Sequence, residues 1–341
     1  MSTGKEYGVI DRFRVAAAIL IVGIHTYPLM SVSEVANFYL IHVFGRVAVP
    51  FFLMVTGYFL LPRYFRGNNS DAQPLLKFIK KTGLVYVLAT LLYLPISIYA
   101  GHYDGGNLLA TIARNIVFDG TFYHLWYLPA SIIGVLIVYA LRRMFPQLAV
   151  IIIACVLYII GLFGDNYYYL AYEVSVIRQG YDLGFRVFSY TRNGLFYAPI
   201  FIVMGASIAM LKTRVKTWVC VVGLVVSLFL MMIEGYVLRH FALSRHSSMY
   251  IALLPCMFFL FNTLRDAGGM SSAVLRNISM WIFILHPLFI VVVRGLARGV
   301  GLTGLLVDNS VMHFLAVCML TVVASGVCVY IQYRYKGRAK V

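Results

Sequence analysis

Charge is what this chain has least of. Only 12% of its 341 residues are Asp, Glu, Lys or Arg, against roughly 25% in a soluble domain. The hydrophobic share is 62%, which together with the scarce charge excludes an ordinary water-soluble enzyme. The usual catalytic signatures are missing too: there is no GxSxG elbow, Walker loop, GxGxxG after a strand, or HExxH. Hydrolase, nucleotide-motor and zinc-protease chemistry therefore lose their support. The eight histidines show no paired spacing, so no metal is expected. Five cysteines, Cys155, Cys220, Cys256, Cys318 and Cys328, lie in apolar runs without a CxxC, and read as packing residues. The N-terminal MSTGKEYGVIDRFR is too polar, and the apolar run after it too long, for a cleaved signal peptide, so the first segment is expected in the mature protein. No repeat, low-complexity tract or linker interrupts the chain, and a single domain over 1–341 is expected.

What is abundant is apolar sequence. With about 20 apolar residues per crossing, the chain has material for about ten membrane helices. Apolar windows fall near 13–30, 40–61, 79–100, 125–141, 148–163, 194–211, 217–238, 249–264, 274–296 and 311–332. The expected fold is all-α, a polytopic membrane protein with about ten transmembrane helices.

The net charge of +16 serves as a topology signal in such a chain. Sorting the 28 Lys and Arg residues to alternate sides puts 19 on the side of the N-terminus, among them all eight lysines from Lys5 to Lys340. Eight arginines fall on the other side, Arg192 and Arg294 among them, and Arg46 falls inside the second window. The positive-inside rule then makes both termini cytoplasmic. The tyrosine-rich NYYYLAYE in the long loop near 164–193 fits an interfacial belt or a substrate contact.

Ionisable groups at membrane depth cost at least about 2.5 kcal/mol on insertion scales, so each is a candidate for function. Arg14 and His25 are eleven helical steps apart, three turns plus about 20°, and share one face of the first helix. His25 and His286 each lie about 18 Å from the cytoplasmic end of their helices. Arg46 and Glu234 descend to a similar depth from the opposite side. The four read as a substrate pocket, or as structural ions (Arg46 with Glu234) beside histidines bonded to backbone. Pro50, Gly57 and Pro287 are expected to bend or open their helices. His124 and Trp126, in FYHLWYLPA, stand at the outer end of the fourth window as substrate contacts or interface anchors.

Taken in order, Arg14 with His25, FFLMVTGYFL, HLWYL and ILHPL resemble the acyltransferase-3 family of integral membrane acyltransferases. Longer stretches, RVAVPFFLMVTGYFL, NGLFYAPIF and SRHSSMYIALLPCMFFLF, are similar to the membrane domain of vancomycin-resistance serine racemases, a branch thought to handle L-serine. The resemblance implies a multi-pass protein of the bacterial plasma membrane. It implies transfer of an acyl group, usually acetyl from cytoplasmic acetyl-CoA, to a hydroxyl acceptor such as a glycan outside, with no tightly bound cofactor. His25 would be the catalytic histidine and Arg14 its motif partner. Arg14 with Lys77, Lys80 and Lys81 would hold the CoA phosphates, though topology alone accounts for those lysines. Three positions depart from the family pattern: Val49 where an acid is common, Thr56 in place of Ser, and lysines at 77–81 in place of an Arg-x-x-Arg. Glu234 is the substitute if a catalytic acid is required. Arg46, Glu234, His286, Trp126, His124 and Arg192 are the candidate substrate contacts.

Two functions stay open, a polytopic scaffold without turnover being disfavoured by the number of intramembrane charges. The first is acyl transfer. The second is an L-serine binding or uptake module, working with a soluble racemase partner as in the resistance racemases.

Overall fold

The computed structural model describes residues 7–67, 71–103 and 107–338; Lys5 and Lys340, used in the charge sorting, lie outside them. All regular structure among the described residues is helical. Ten principal helices among the described residues, one on each apolar window, are α1 (Gly8–Thr26), α2 (Ala48–Leu60), α3 (Gln73–Tyr99), α4 (Tyr127–Met144), α5 (Gln147–Phe163), α6 (Ala198–Met210), α7 (Thr217–His240), α8 (Leu253–Asp266), α9 (Ala273–Gly299) and α10 (Ser310–Arg338). Among the described residues, six helical stretches are long and apolar enough to cross a membrane: α3, α4, α7, α9, α10 and the continuous run Glu34–Leu60 that ends in α2. The helices α5 and α6 are apolar but shorter.

Helix ends follow local chemistry. Tyr27 takes a left-handed conformation (φ 53°) that stops α1 one residue after Thr26, with Pro28 next. Ser272 caps α9 by accepting from the Leu275 N–H at 3.2 Å, and Asn309 caps α10 by accepting from the Met312 N–H at 3.1 Å. Pro74 and Pro199 stand in the first turns of α3 and α6, where a missing N–H is harmless.

The chain divides into two compact units: Met1–Val49 with Thr217–Leu224 and Phe259–Val341, and Pro50–Lys216 with Val225–Phe258. In the first, α1 packs on α9 and α10. In the second, α4, α5 and α6 pack together and α3 lies on α4. Large apolar side chains stay exposed in rows, Leu84, Val87, Leu88 and Leu91 on α3, Val222, Val225, Val226 and Phe229 on α7, and Leu315, Met319, Val323 and Val327 on α10. Rows of that extent suit a lipid solvent rather than water.

The three expected helix breakers behave differently from one another. Pro50, in contrast to the other two, does lie beside an irregularity: within the run Glu34–Leu60 it follows a π turn at Tyr39–Val43 and a 3-10 turn at Phe44–Val47, the latter holding the Arg46 carbonyl that its missing N–H cannot reach. Helix α9 continues through Pro287. Gly57 opens nothing: a β-carbon there would overlap the Ile202 carbonyl of α6, and one at Gly205 would overlap the Met54 carbonyl of α2. The two glycines form a reciprocal notch in which two backbones touch.

Candidate functional site

The first unit brings His25 and His286 together. Their rings stack with centroids 5.3 Å apart and planes 22° from parallel. His25 is half-buried in the last turn of α1, and His286 is fully buried in α9. The Nδ1 of His286 lies 3.1 Å from the Ile282 carbonyl, which only accepts, so Nδ1–H donates and the neutral ring keeps its lone pair on Nε2. The stack fixes the orientation of the His25 ring by contact with a side chain that cannot turn freely.

Arg14 is engaged at the other end of α1. Its Nε lies 3.4 Å from Oδ1 of Asp11, one turn earlier, while Oδ2 accepts from Arg276 Nη1 at 2.7 Å and from the Ser272 N–H at 2.8 Å. Asp11 is only 3% exposed and is the hub of this cluster. Two arginines share one carboxylate. Asp11 carried little signal of its own, since an acid in the first turns of a helix is expected for the macrodipole alone. Gly8 and Val9 donate to the carbonyls of Gly269 and Gly268, at 2.7 and 2.9 Å, and pin the start of α1 beside the cluster.

Arg46 bonds its own helical neighbour. Its Nη2 donates to Nδ1 of His42 at 3.0 Å, and the His42 ring stacks on Phe38. Glu234 belongs to the second unit, where Oε1 accepts from the Tyr167 hydroxyl at 2.8 Å and the Ile251 N–H at 2.7 Å, and Oε2 from the Ala252 N–H at 2.9 Å. Both carboxylate oxygens are thus committed to holding the 251–252 backbone and a loop tyrosine. Glu234 is a structural anchor in this arrangement, and its candidacy as a substitute catalytic acid gains nothing from it.

The remaining candidates lie in the second unit. His124 is 2% exposed and meets Tyr93 and Phe122 edge-on at 5.1 and 5.8 Å. Arg192 stands over the rings of Trp126 and Tyr190, 5.2 and 4.4 Å from their centroids. Lys77, Lys80 and Lys81 are exposed in the first turns of α3. The Thr56 hydroxyl donates to the Phe52 carbonyl at 3.0 Å, turned onto its own helix. The tyrosine run divides between inside and outside. Tyr167 holds Glu234, with its phenol pushed up by burial and then by that carboxylate; Tyr168 is buried under the Arg245 guanidinium; Tyr169 stays exposed, as a belt residue would. Tyr181 donates to the Ile160 carbonyl at 2.6 Å, and burial pushes its hydroxyl up to about 12.

Asp165 is a second buried acid that sequence reasoning missed. It is fully buried, and Oδ1 accepts from the Ser248 and Met249 N–H groups at 2.6 and 3.1 Å. Asp165→Ala is expected to destabilise the protein by about 2–5 kcal/mol by stranding two buried donors, while Asp165→Asn, which keeps an acceptor oxygen, costs less. Thermal unfolding of both variants in detergent checks the order, and an alanine variant as stable as wild type overturns it.

Among the described residues no three His, Cys, Asp or Glu side chains converge as a metal site. A family profile described as an acyltransferase domain matches residues 7–330. The chain belongs to the acyltransferase-3 family. It is also 44% identical over 336 residues to an amino-acid racemase of Enterococcus faecalis, covering 96% of this chain and 45% of that protein. A serine/alanine racemase of Enterococcus gallinarum is 31% identical over 328 residues, covering 96% of this chain and 46% of the relative. The chain spans just under half the length of these curated relatives. No solved structure matches it.

Proposed function

We propose that this acyltransferase-3 protein is an integral membrane acyltransferase that moves an acyl group, acetyl by preference, from cytoplasmic acyl-CoA to a hydroxyl acceptor on the far side of the membrane. The observation that supports this is the stacked His25 and His286 pair in a chain of this family. His25, half-buried at a helix end and held by His286, suits a general base for a hydroxyl, which attacks a thioester poorly until a positioned group takes its proton. In that step the acceptor O–H proton passes to a His25 ring nitrogen, the oxygen adds to the thioester carbonyl, and the C–S bond breaks. The CoA thiolate leaves and the proton returns to it. Ten crossings with both termini cytoplasmic are the topology that goes with this reading, the charge bias being its support.

Arg14, in the cluster around Asp11, is assigned to the CoA phosphates. Arg14→Ala is expected to weaken acetyl-CoA binding more than acceptor binding. Titration of purified protein in lipid with each ligand checks it, and equal losses count against the assignment.

A second reading, an L-serine binding or uptake module acting with a soluble racemase, is favoured by the racemase names of relatives 31–44% identical over nearly the whole chain. Valine at 49 and threonine at 56 also depart from the acyl-transfer pattern. Protein in lipid vesicles, given radiolabelled acetyl-CoA and separately radiolabelled L-serine, separates the two. CoA release with label transfer supports acyl transfer; serine retention without CoA consumption supports the second reading and sinks the first.

A further inference from the structure

A cavity of about 470 Å³ opens within the first unit where α1 ends and α10 begins, lined by neither His25 nor His286. Its size lies within the roughly 300–1,000 Å³ of small-molecule sites. Arg294 and Asp308 both line it, yet the side chain of neither forms an ion pair or hydrogen bond with any described residue. Opposite charges sharing one cavity attract, yet no ion pair joins these two side chains. A ligand carrying both a carboxylate and an ammonium satisfies the two together, whereas a simple anion or cation leaves one of them facing its own charge.

The lining adds a polar group aimed at no protein partner. His313 is 2% exposed and lines the cavity; its Nδ1–H donates to the Leu306 carbonyl at 2.8 Å, leaving the Nε2 lone pair without a partner among the described residues. That lone pair accepts from an ammonium or a hydroxyl. The wall is preorganised by a serine clamp. The Ser31 N–H donates to Ser310 Oγ at 3.0 Å, the Ser310 N–H donates to Ser31 Oγ at 3.1 Å, and Ser310 Oγ donates onward to the Pro28 carbonyl at 2.9 Å. The hydroxyl oxygens are 2.8 Å apart, and since the Ser310 proton is spent on Pro28, Ser31 donates in that contact. The clamp joins the segment after α1 to the start of α10 and keeps the cavity open without help from a ligand.

We infer that this cavity is a binding site for a free α-amino acid, with Arg294 receiving the carboxylate and Asp308 and His313 receiving the ammonium or a side-chain hydroxyl. The inference rests on the amino-acid reading above and deepens it by naming a site. On the topology proposed above, with the N-terminus cytoplasmic, the end of α1 would face outward and the site would open to amino acids outside the cell.

Calorimetric titration of the protein in lipid nanodiscs is the test, with L-serine, L-alanine and glycine as probes. L-serine methyl ester, which lacks the carboxylate, and L-lactate, which lacks the ammonium, are the controls. At least one free amino acid is expected to bind, neither control comparably, and Arg294→Gln and Asp308→Asn are each expected to weaken that binding about tenfold or more. Both side chains are exposed, so the variants are expected to unfold at the wild-type temperature. Amino-acid binding that survives both substitutions overturns this site but leaves the amino-acid reading standing. Failure of all three amino acids to bind wild type overturns both. Lactate binding as tight as serine overturns the part given to Asp308.

Discussion

His25→Ala is expected to lower acyl transfer by about 10²–10⁴-fold, the range that a positioned general base contributes. The fall should appear in the rate of label transfer from acetyl-CoA at saturating donor, with donor affinity little changed, because the ring is assigned to the acceptor's proton and not to the CoA phosphates. His286→Ala is expected to produce a smaller loss and an altered pH profile of transfer, since His286 touches His25 rather than the reacting atoms. A purely structural role would lower the amount of folded protein without moving the pH profile. If His25→Ala transfers acetyl at the wild-type rate, the stacked pair is packing and the acyl-transfer proposal loses its base.

Gly57→Ala is expected to be among the most damaging single-methyl changes in the chain. The added β-carbon meets the Ile202 backbone, which has no side-chain rotamer to yield, so α2 and α6 must move apart. Overpacking of this kind costs about 1–3 kcal/mol and at times more, and here it falls on a buried backbone contact. Gly83→Ala on α3 is the matched control: nothing lies within 4 Å of its β-carbon position, and the change should stabilise the helix by about 0.5–1 kcal/mol. Thermal unfolding of the two variants in the same detergent should therefore shift in opposite directions. A Gly57→Ala protein as stable as wild type would mean that the notch is not under the close contact described.

These two expectations mark how far the sequence could be read. Every apolar window lies on a helix because a run of that composition has no other means of satisfying its backbone in lipid. A common depth for His25 and His286 followed from simple rise per residue, but not the stacking of their rings, and Arg46 was weighed as a partner of Glu234 whereas it bonds His42 four residues before it. What was not legible is partner choice. A glycine inside an apolar helix reads the same whether it weakens the helix or admits a neighbour, and only Ile202 and Met54 decide between the two at 57 and 205. Asp11 and Asp165 sit at the margins of apolar windows, where acids are ordinary, and their burial against Arg276 and against the 248–249 backbone depends on segments more than 80 residues away in sequence. Arg294 was visible as one arginine of the outer side and His313 as a polar residue in the last window, but nothing in either local pattern points to Asp308 as their companion.

The notch between α2 and α6 bears on how the second unit can work. Two helices whose main chains interlock at two points, Gly57 against Ile202 and Gly205 against Met54, cannot slide lengthwise or roll past each other without a carbonyl striking an α-carbon. Any opening and closing during a turnover cycle must then carry this pair as a single strut, with the displacement absorbed where side chains rather than backbones meet.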